Sequence, residues 1–416
     1  MSCDNINITT QPISIAGTNT DAFGRLRVST PYTLFDSQNR YAADNQFETA
    51  TVTGGSTTYL PNESSVRMDV TTASGAEVVR QSYRSMPYQP GKGLLSLNTF
   101  VMATGKINLR QRVGYFGTQN GVYFELTGTD TKAFVLRSYI SGSVDDTSRR
   151  VEQSSWNGDK LNGTGASGYT LDLTKPQILW MDFEWLGVGS VRCGFIINGE
   201  YIVCHTYNTA NVYGSSVYMT TAILPVRYEI TNTGTTASSS SMKQICSSVV
   251  SEGGYEQYSI GHIARNTTKV STIGLTAKPI VSIRMASNRE GSVIVPNRIQ
   301  VLPITSQNYE IFLIKNATLS GASWSAVSTD PNVEQDTSAT SYTGGSIVQT
   351  DYLSSSGSGG NNPLVDPAGY NWALQLGASL AGVSDILTLA IRTIDSATPS
   401  GDAYGSVSFW DLSYNP

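Results

Sequence analysis

Histidine is nearly absent. His205 and His262 are the only two in 416 residues, and they are not near each other in sequence. No HExxH, paired CxxC, GxSxG, P-loop or dinucleotide fingerprint accompanies them, which argues against zinc, triad and nucleotide chemistry. Charge is scarce as well, at 14% of residues. The net charge is −5 with no long basic run, so a nucleic-acid partner is not expected. The four cysteines, Cys3, Cys193, Cys204 and Cys246, are too scattered for a disulfide framework. No apolar run reaches the roughly 18 residues that a membrane helix needs. The N-terminus, MSCDNINITTQP, lacks the basic and apolar regions of a signal peptide, so synthesis in a cytoplasm and a soluble product are expected. Helical periodicity is missing too. The nearest approach, 372–383, is interrupted by Gly377 and Gly382.

What is present is turn and strand chemistry. Glycine (39), tyrosine (22), serine, threonine and asparagine are abundant. That mix suits many short strands joined by tight turns. The strongest signal is QILWMDFEWLGVGSVRCGFIINGEYIVCHTY, residues 177–207. Asn198-Gly199 lies between two apolar runs, and both residues tolerate the positive φ of a two-residue type I′ hairpin. Such a turn predicts that Ile197 faces Glu200, Phe195 faces Ile202, Cys193 faces Cys204 and Arg192 faces His205. In the feeding strand, Leu179, Met181, Phe183 and Trp185 share an apolar face, while Ile178, Trp180, Asp182 and Glu184 share the other.

The chain reads as all-β. Residues 1–45 form an N-terminal docking arm whose segment TDAFGRLRVSTPYTLFDSQNRY sets Arg25, Arg27 and Arg40 among Phe23, Tyr32, Phe35 and Tyr41. So aromatic a segment must be buried, on its own domain or on another subunit. Residues 46–260 read as a large jelly-roll, concanavalin-like antiparallel β-sandwich, because many alternating strands follow one another without helices. A long polar loop, 141–170, carries Trp156. Residues 261–276 read as a connector, and 277–416 as a smaller immunoglobulin-like β-sandwich.

Candidate chemistry is thin. Asp182 and Glu184, two apart on one strand face, have the spacing of carboxylates in jelly-roll glycosidases, but no third carboxylate completes the run before Trp185. The alternative is a solvent-facing or rim pair beside Arg192. The aromatics Tyr59, Tyr88, Tyr123, Tyr139, Trp156 and Tyr169 could line a sugar-binding surface or fill the core. Tyr139, Trp156 and Tyr169 are the candidates for glycan contact. Asp145-Asp146 falls well short of a calcium cage. No metal or cofactor is expected.

The segments TDAFGRLRVSTPYTLFDSQNRY, YQPGKGLLSLNTFVM, NLRQRVGYFGTQNGVYFEL, the 177–207 meander and LPVRYEITNTG resemble a family of virion structural proteins of tailed bacteriophages, marine cyanophages among them. The resemblance spans about residues 18–255, and the C-terminal unit carries no matching motif. It implies a capsid, tail, baseplate or fibre component, assembled in the host cytoplasm with other virion proteins, and no catalytic residues carry over. A homo-oligomer, by analogy a trimer, is expected. The competing expectations are a host-glycan adhesin and, behind it, a polysaccharide-degrading glycosidase.

Overall fold

The computed structural model describes residues 30–184, 187–212, 215–255, 261–327, 330–353, 361–363, 374–394 and 400–413. Its described residues form two antiparallel β-sandwiches, with no α-helix and a single 3-10 turn at Gln153–Ser155 among the named elements. The first sheet runs in the order Glu200–Tyr207, Val191–Ile197, Gln177–Phe183, Leu94–Val101, Ser240–Ser251, Ser65–Val70, Gly55–Leu60. Tyr32–Gln38 pairs with the far half of Ser240–Ser251. The second sheet runs Arg150–Glu152, Thr131–Arg137, Gly121–Thr127, Leu109–Phe116, Val226–Asn232, Glu77–Ser82, Phe47–Val52.

Alternation explains why these two sheets stack. Leu179, Met181 and Phe183 enter the core from the first sheet, and Val113, Tyr115, Phe124 and Phe134 from the second. Aromatic rings bridge the layers. Phe124 meets Phe195 edge-on with centres 5.2 Å apart, and Tyr115 meets Phe183 at 5.4 Å.

The hairpin turn forms as expected, with φ of 53° at Asn198 and 85° at Gly199. Ile197 pairs with Glu200 and Phe195 with Ile202. One pair further on the expected register fails. Gly194 still pairs with Val203, but a β-bulge after it makes Cys193 pair with His205, so Cys193 does not face Cys204, and Arg192 faces Thr206 rather than His205. The extra residue, Cys204, is absorbed into the core beside Cys193, and both are free thiols. Trp185 lies outside the described residues.

Two expected boundaries shift. The strand Tyr32–Gln38 belongs to the first sheet, so the first sandwich begins before residue 46. The expected connector contains the strands Gly261–Arg265 and Val270–Ile273, both paired with Gly401–Asp411 of the second sandwich. That sandwich has one sheet of Gly261–Arg265, Val270–Ile273, Gly401–Asp411, Ile294–Pro303 and Asn361–Pro363. The other is ordered Ser325–Val327, Asp330–Asp336, Lys278–Met285, Ile386–Thr393, Tyr309–Lys315, Ser346–Leu353. Ile283, Leu313, Leu389, Val407 and Phe409 share its core. The stretch 374–383 contains no α-helix. The two sandwiches touch where Ala378 N–H donates to the Tyr83 carbonyl (3.1 Å) and Gln375 Nε2 to that of Ser85 (3.0 Å).

Candidate binding surfaces

The arm residues part company. Phe23, Arg25 and Arg27 lie outside the described residues. Phe35 is buried in the first core, edge-on to Phe47 at 5.7 Å and under the Arg84 guanidinium at 5.9 Å. Of the two expectations for Phe35, packing on its own domain is the one the structure shows. Tyr32 is half-buried and stacks on Tyr255. The tip is different. Arg40 is exposed, donating to Gln38 Oε1 at 2.9 Å, and Tyr41 is 89% exposed.

The three candidate glycan contacts are not brought together into one site. Trp156 is a core residue, 2% exposed, packed on Phe134 at 4.8 Å with its indole N–H donating to the Val151 carbonyl. That overturns its expected role as a surface contact. Tyr123 is likewise buried. Tyr139 is half-buried, its N–H held by the Asn120 side chain. Tyr169 lines an open depression of about 470 Å³ with Asp172, Gln177, Ile178 and Asn198. Its hydroxyl accepts from Asn198 Nδ2 at 2.9 Å, which ties the depression to the hairpin turn.

The carboxylate pair is occupied. Asp182 is buried opposite Arg192 and ion-paired with it. Glu184 lies past the strand end at Phe183 and accepts the Ser190 N–H at 3.1 Å. Burial, with Asp182 beside it, raises the Glu252 carboxyl. Asp146 is bidentate to Arg137 at 2.7 and 2.8 Å, and Asp145 accepts the N–H groups of Thr147 and Ser148. His205 is buried against Tyr207, its Nδ1 accepting the Asn157 N–H, and burial lowers its pKa to about 4. Among the described residues no group of three or more His, Cys, Asp or Glu is placed to hold a metal ion.

Two sheet faces that point away from the first core stand out. On the first sheet, cross-strand rows join Tyr201–Ile196–Ile178–Thr99–Cys246, Val203–Gly194–Trp180–Leu97–Ser248 and Arg192–Asp182–Leu95–Val250. Ile178 and Tyr201 are 37% and 55% exposed, and Leu95, Leu97, Ile196, Val203 and Val250 are half-buried. Trp180, in the middle, is buried with an indole N–H that finds no acceptor among the described residues. This is a contiguous apolar face ending in one ion pair.

The second sheet carries the opposite chemistry. Arg112 binds Glu125 at 2.7 Å and Glu229 at 3.5 Å, Arg110 and Arg227 bind Glu229 at 3.2 and 3.1 Å, and Arg150 binds Glu125. Beneath them lie Phe116, Tyr123, Ala133 and Val135. Burial alone would raise the Glu229 carboxyl, but Arg227, Arg112 and Arg110 hold it below the usual range. The sequence reading missed this network. Its signal was an outward parity of charged residues, Arg110, Arg112 and Glu125, in a chain otherwise poor in charge.

No protein-family model and no curated protein matches the chain. Among solved structures it is similar to the CBM2 module of evolved Dit from Lactobacillus casei BL23 phage J-1. Identity is 8%, over 56% of this chain and 100% of that one, with a TM-score of 0.35. The carbohydrate recognition domain of Emp47p is 13% identical over 54% of this chain and 96% of its own, with a TM-score of 0.32. A legume lectin-like domain from Entamoeba histolytica is 10% identical over 53% and 97%, also at 0.32. Likeness at this level transfers no function.

Proposed function

We propose that this chain is a non-enzymatic structural component of a tailed-phage virion, built into the capsid surface, tail, baseplate or fibre as a homo-oligomer, with a trimer favoured. The observation that carries the reading is the outward face of the first sheet. Exposed Ile178 and Tyr201 with half-buried Val203, Leu97, Ile196, Leu95 and Val250 around the buried Trp180 are costly to leave in water and have the composition of an interface core. The described residues of the motifs resembling phage structural proteins belong to this same sandwich, and the exposed Arg40 and Tyr41 offer a second point of contact. A subunit-resolved cryo-EM map of the particle tests the proposal. Density from a neighbouring subunit against Ile178 and Leu97 is expected. A map with this face open to solvent, or a particle complete without the chain, rejects it.

A second reading, recognition of host surface glycans, is favoured by the Tyr169 depression, where an aromatic ring sits among Asp172, Gln177 and Asn198. Binding of the full chain to a glycan array is its test, and absence of binding to every glycan rejects it.

A further inference from the structure

The junction between the two sandwiches is a second concave surface, unrelated to the faces above. Three depressions meet there, of about 670, 480 and 380 Å³, and Tyr83 borders all of them. Pockets of this size at domain junctions are the usual seats of small ligands. The largest is lined by Asp36, Asn45 and Gln46 of the first sandwich and by Asn316 and Asp385 of the second. The next adds Trp324.

Tyr83 is fixed by two main-chain contacts, one across the junction and one within the first sandwich. The Tyr83 carbonyl accepts the Ala378 N–H, and Tyr83 N–H donates to the Gln46 carbonyl at 2.9 Å. Its ring is about one-third exposed. Burial, then Glu48 and Asp385, raise the Tyr83 phenol, so at neutral pH it remains a hydroxyl able to donate. Trp324 is braced from one side by Arg284, 4.2 Å from its ring centre, and Arg284 is paired with Glu334 at 2.7 Å. These aromatic groups lose little freedom when something is laid on them.

The charges there cancel locally. Lys315 pairs with Asp385 at 2.8 Å, and the Arg84 guanidinium, which lies over Phe35 and donates to Gln46, is offset by the neighbouring Asp36 and Asp44 carboxylates. What remains is a set of amide, carboxylate and hydroxyl groups beside two aromatic rings. An uncharged polyhydroxylated ligand matches that set. A polyanion would find no net positive field, and an apolar ligand would strand the polar lining.

We propose that this junction binds an uncharged oligosaccharide chain, with its sugar rings against Tyr83 and Trp324 and its hydroxyls toward Asn45, Asp36 and Asn316. The proposal rests on the glycan-recognition reading but places the ligand at a different site from Tyr169. The test uses the labelled full chain on an array of neutral O-chain and capsular oligosaccharides, with uronate-bearing and phosphorylated counterparts alongside. Binding to neutral glycans is expected. Tyr83→Ala and Trp324→Ala should each lower it about tenfold, which corresponds to about 1.4 kcal/mol. Tyr169→Ala should leave it unchanged, and thermal unfolding of each variant at the wild-type midpoint confirms an intact fold. Loss in Tyr169→Ala with retention in the other two overturns this site while the glycan-recognition reading survives. Preference for the charged glycans overturns the ligand class. Absence of binding to every neutral glycan overturns both and leaves the assembly reading standing.

Discussion

The guanidinium of Arg112 lies over the ring of Tyr123, 4.9 Å from its centre, on the face of the second sheet that turns away from the core. Arg137 approaches the same ring at 5.2 Å. The two cations cover an aromatic that would otherwise be wet, and Glu125, Glu229 and Asp146 neutralise them. The network is thus an internally closed layer that seals one side of the sandwich.

Glu229 is the node of that layer, with three arginines on one carboxylate. Glu229→Gln removes one charge and leaves three buried or half-buried guanidinium groups short of a partner. A loss of about 3–5 kcal/mol is expected, read as a lower urea midpoint with an unchanged slope.

His205 predicts a pH dependence. Burial lowers its pKa to about 4, against 6.5 for the free side chain. Between these values the unfolded chain binds the proton and the folded one does not. Its contribution is therefore intact above about pH 6.5 and is lost as pH falls toward 4. The swing is on the order of 2 kcal/mol. Urea titrations at pH 7.5 and 4.5 measure it as the difference between wild type and His205→Gln, which cancels the carboxylates common to both.

Trp156 was a reasonable glycan candidate by composition, and its burial reverses the expectation. Trp156→Ala should cost about 3–5 kcal/mol of stability by opening a cavity between Phe124 and Phe134. It should leave glycan-array binding by the remaining folded protein unaltered. A stable variant with lost binding would contradict the core placement.

The apolar face makes a cleaner separation of assembly from folding. Leu97→Glu places a charge at a half-buried position outside the core, so less than about 1 kcal/mol of stability should be lost. Incorporation into particles, measured by quantitative proteomics of purified virions, should fall severalfold. Normal incorporation would remove this face from the contact surface.

The sandwich was readable from the sequence wherever strict alternation and turn residues coincide. The feeding strand Gln177–Phe183 and the Asn198-Gly199 turn are where the pattern places them. Failures follow breaks in alternation. Tyr32–Gln38 was hidden because the register shifts between Thr33 and Phe35, so that the adjacent residues Leu34 and Phe35 are both buried. The bulge at Cys204 was hidden for a related reason, since twist rather than residue type decides where an extra residue is inserted. The strand Gly261–Arg265 has only His262 and Ala264 as its buried pair, too little apolar signal to separate it from a linker. The candidate sites were less readable still. An aromatic in the 141–170 loop becomes core or rim according to what folds over it, and neither Trp156 nor Tyr169 carries that information in its own segment.

The seam at Tyr83 also determines how the molecule would carry a load. A pull on the second sandwich through its Ala378 and Gln375 contacts is delivered just past the end of Glu77–Ser82. That strand is flanked on both sides, by Phe47–Val52 and Val226–Asn232, so a force along it shears two ladders of hydrogen bonds together instead of unzipping them one by one. Anchored this way, the second sandwich passes load into a strand held on both sides.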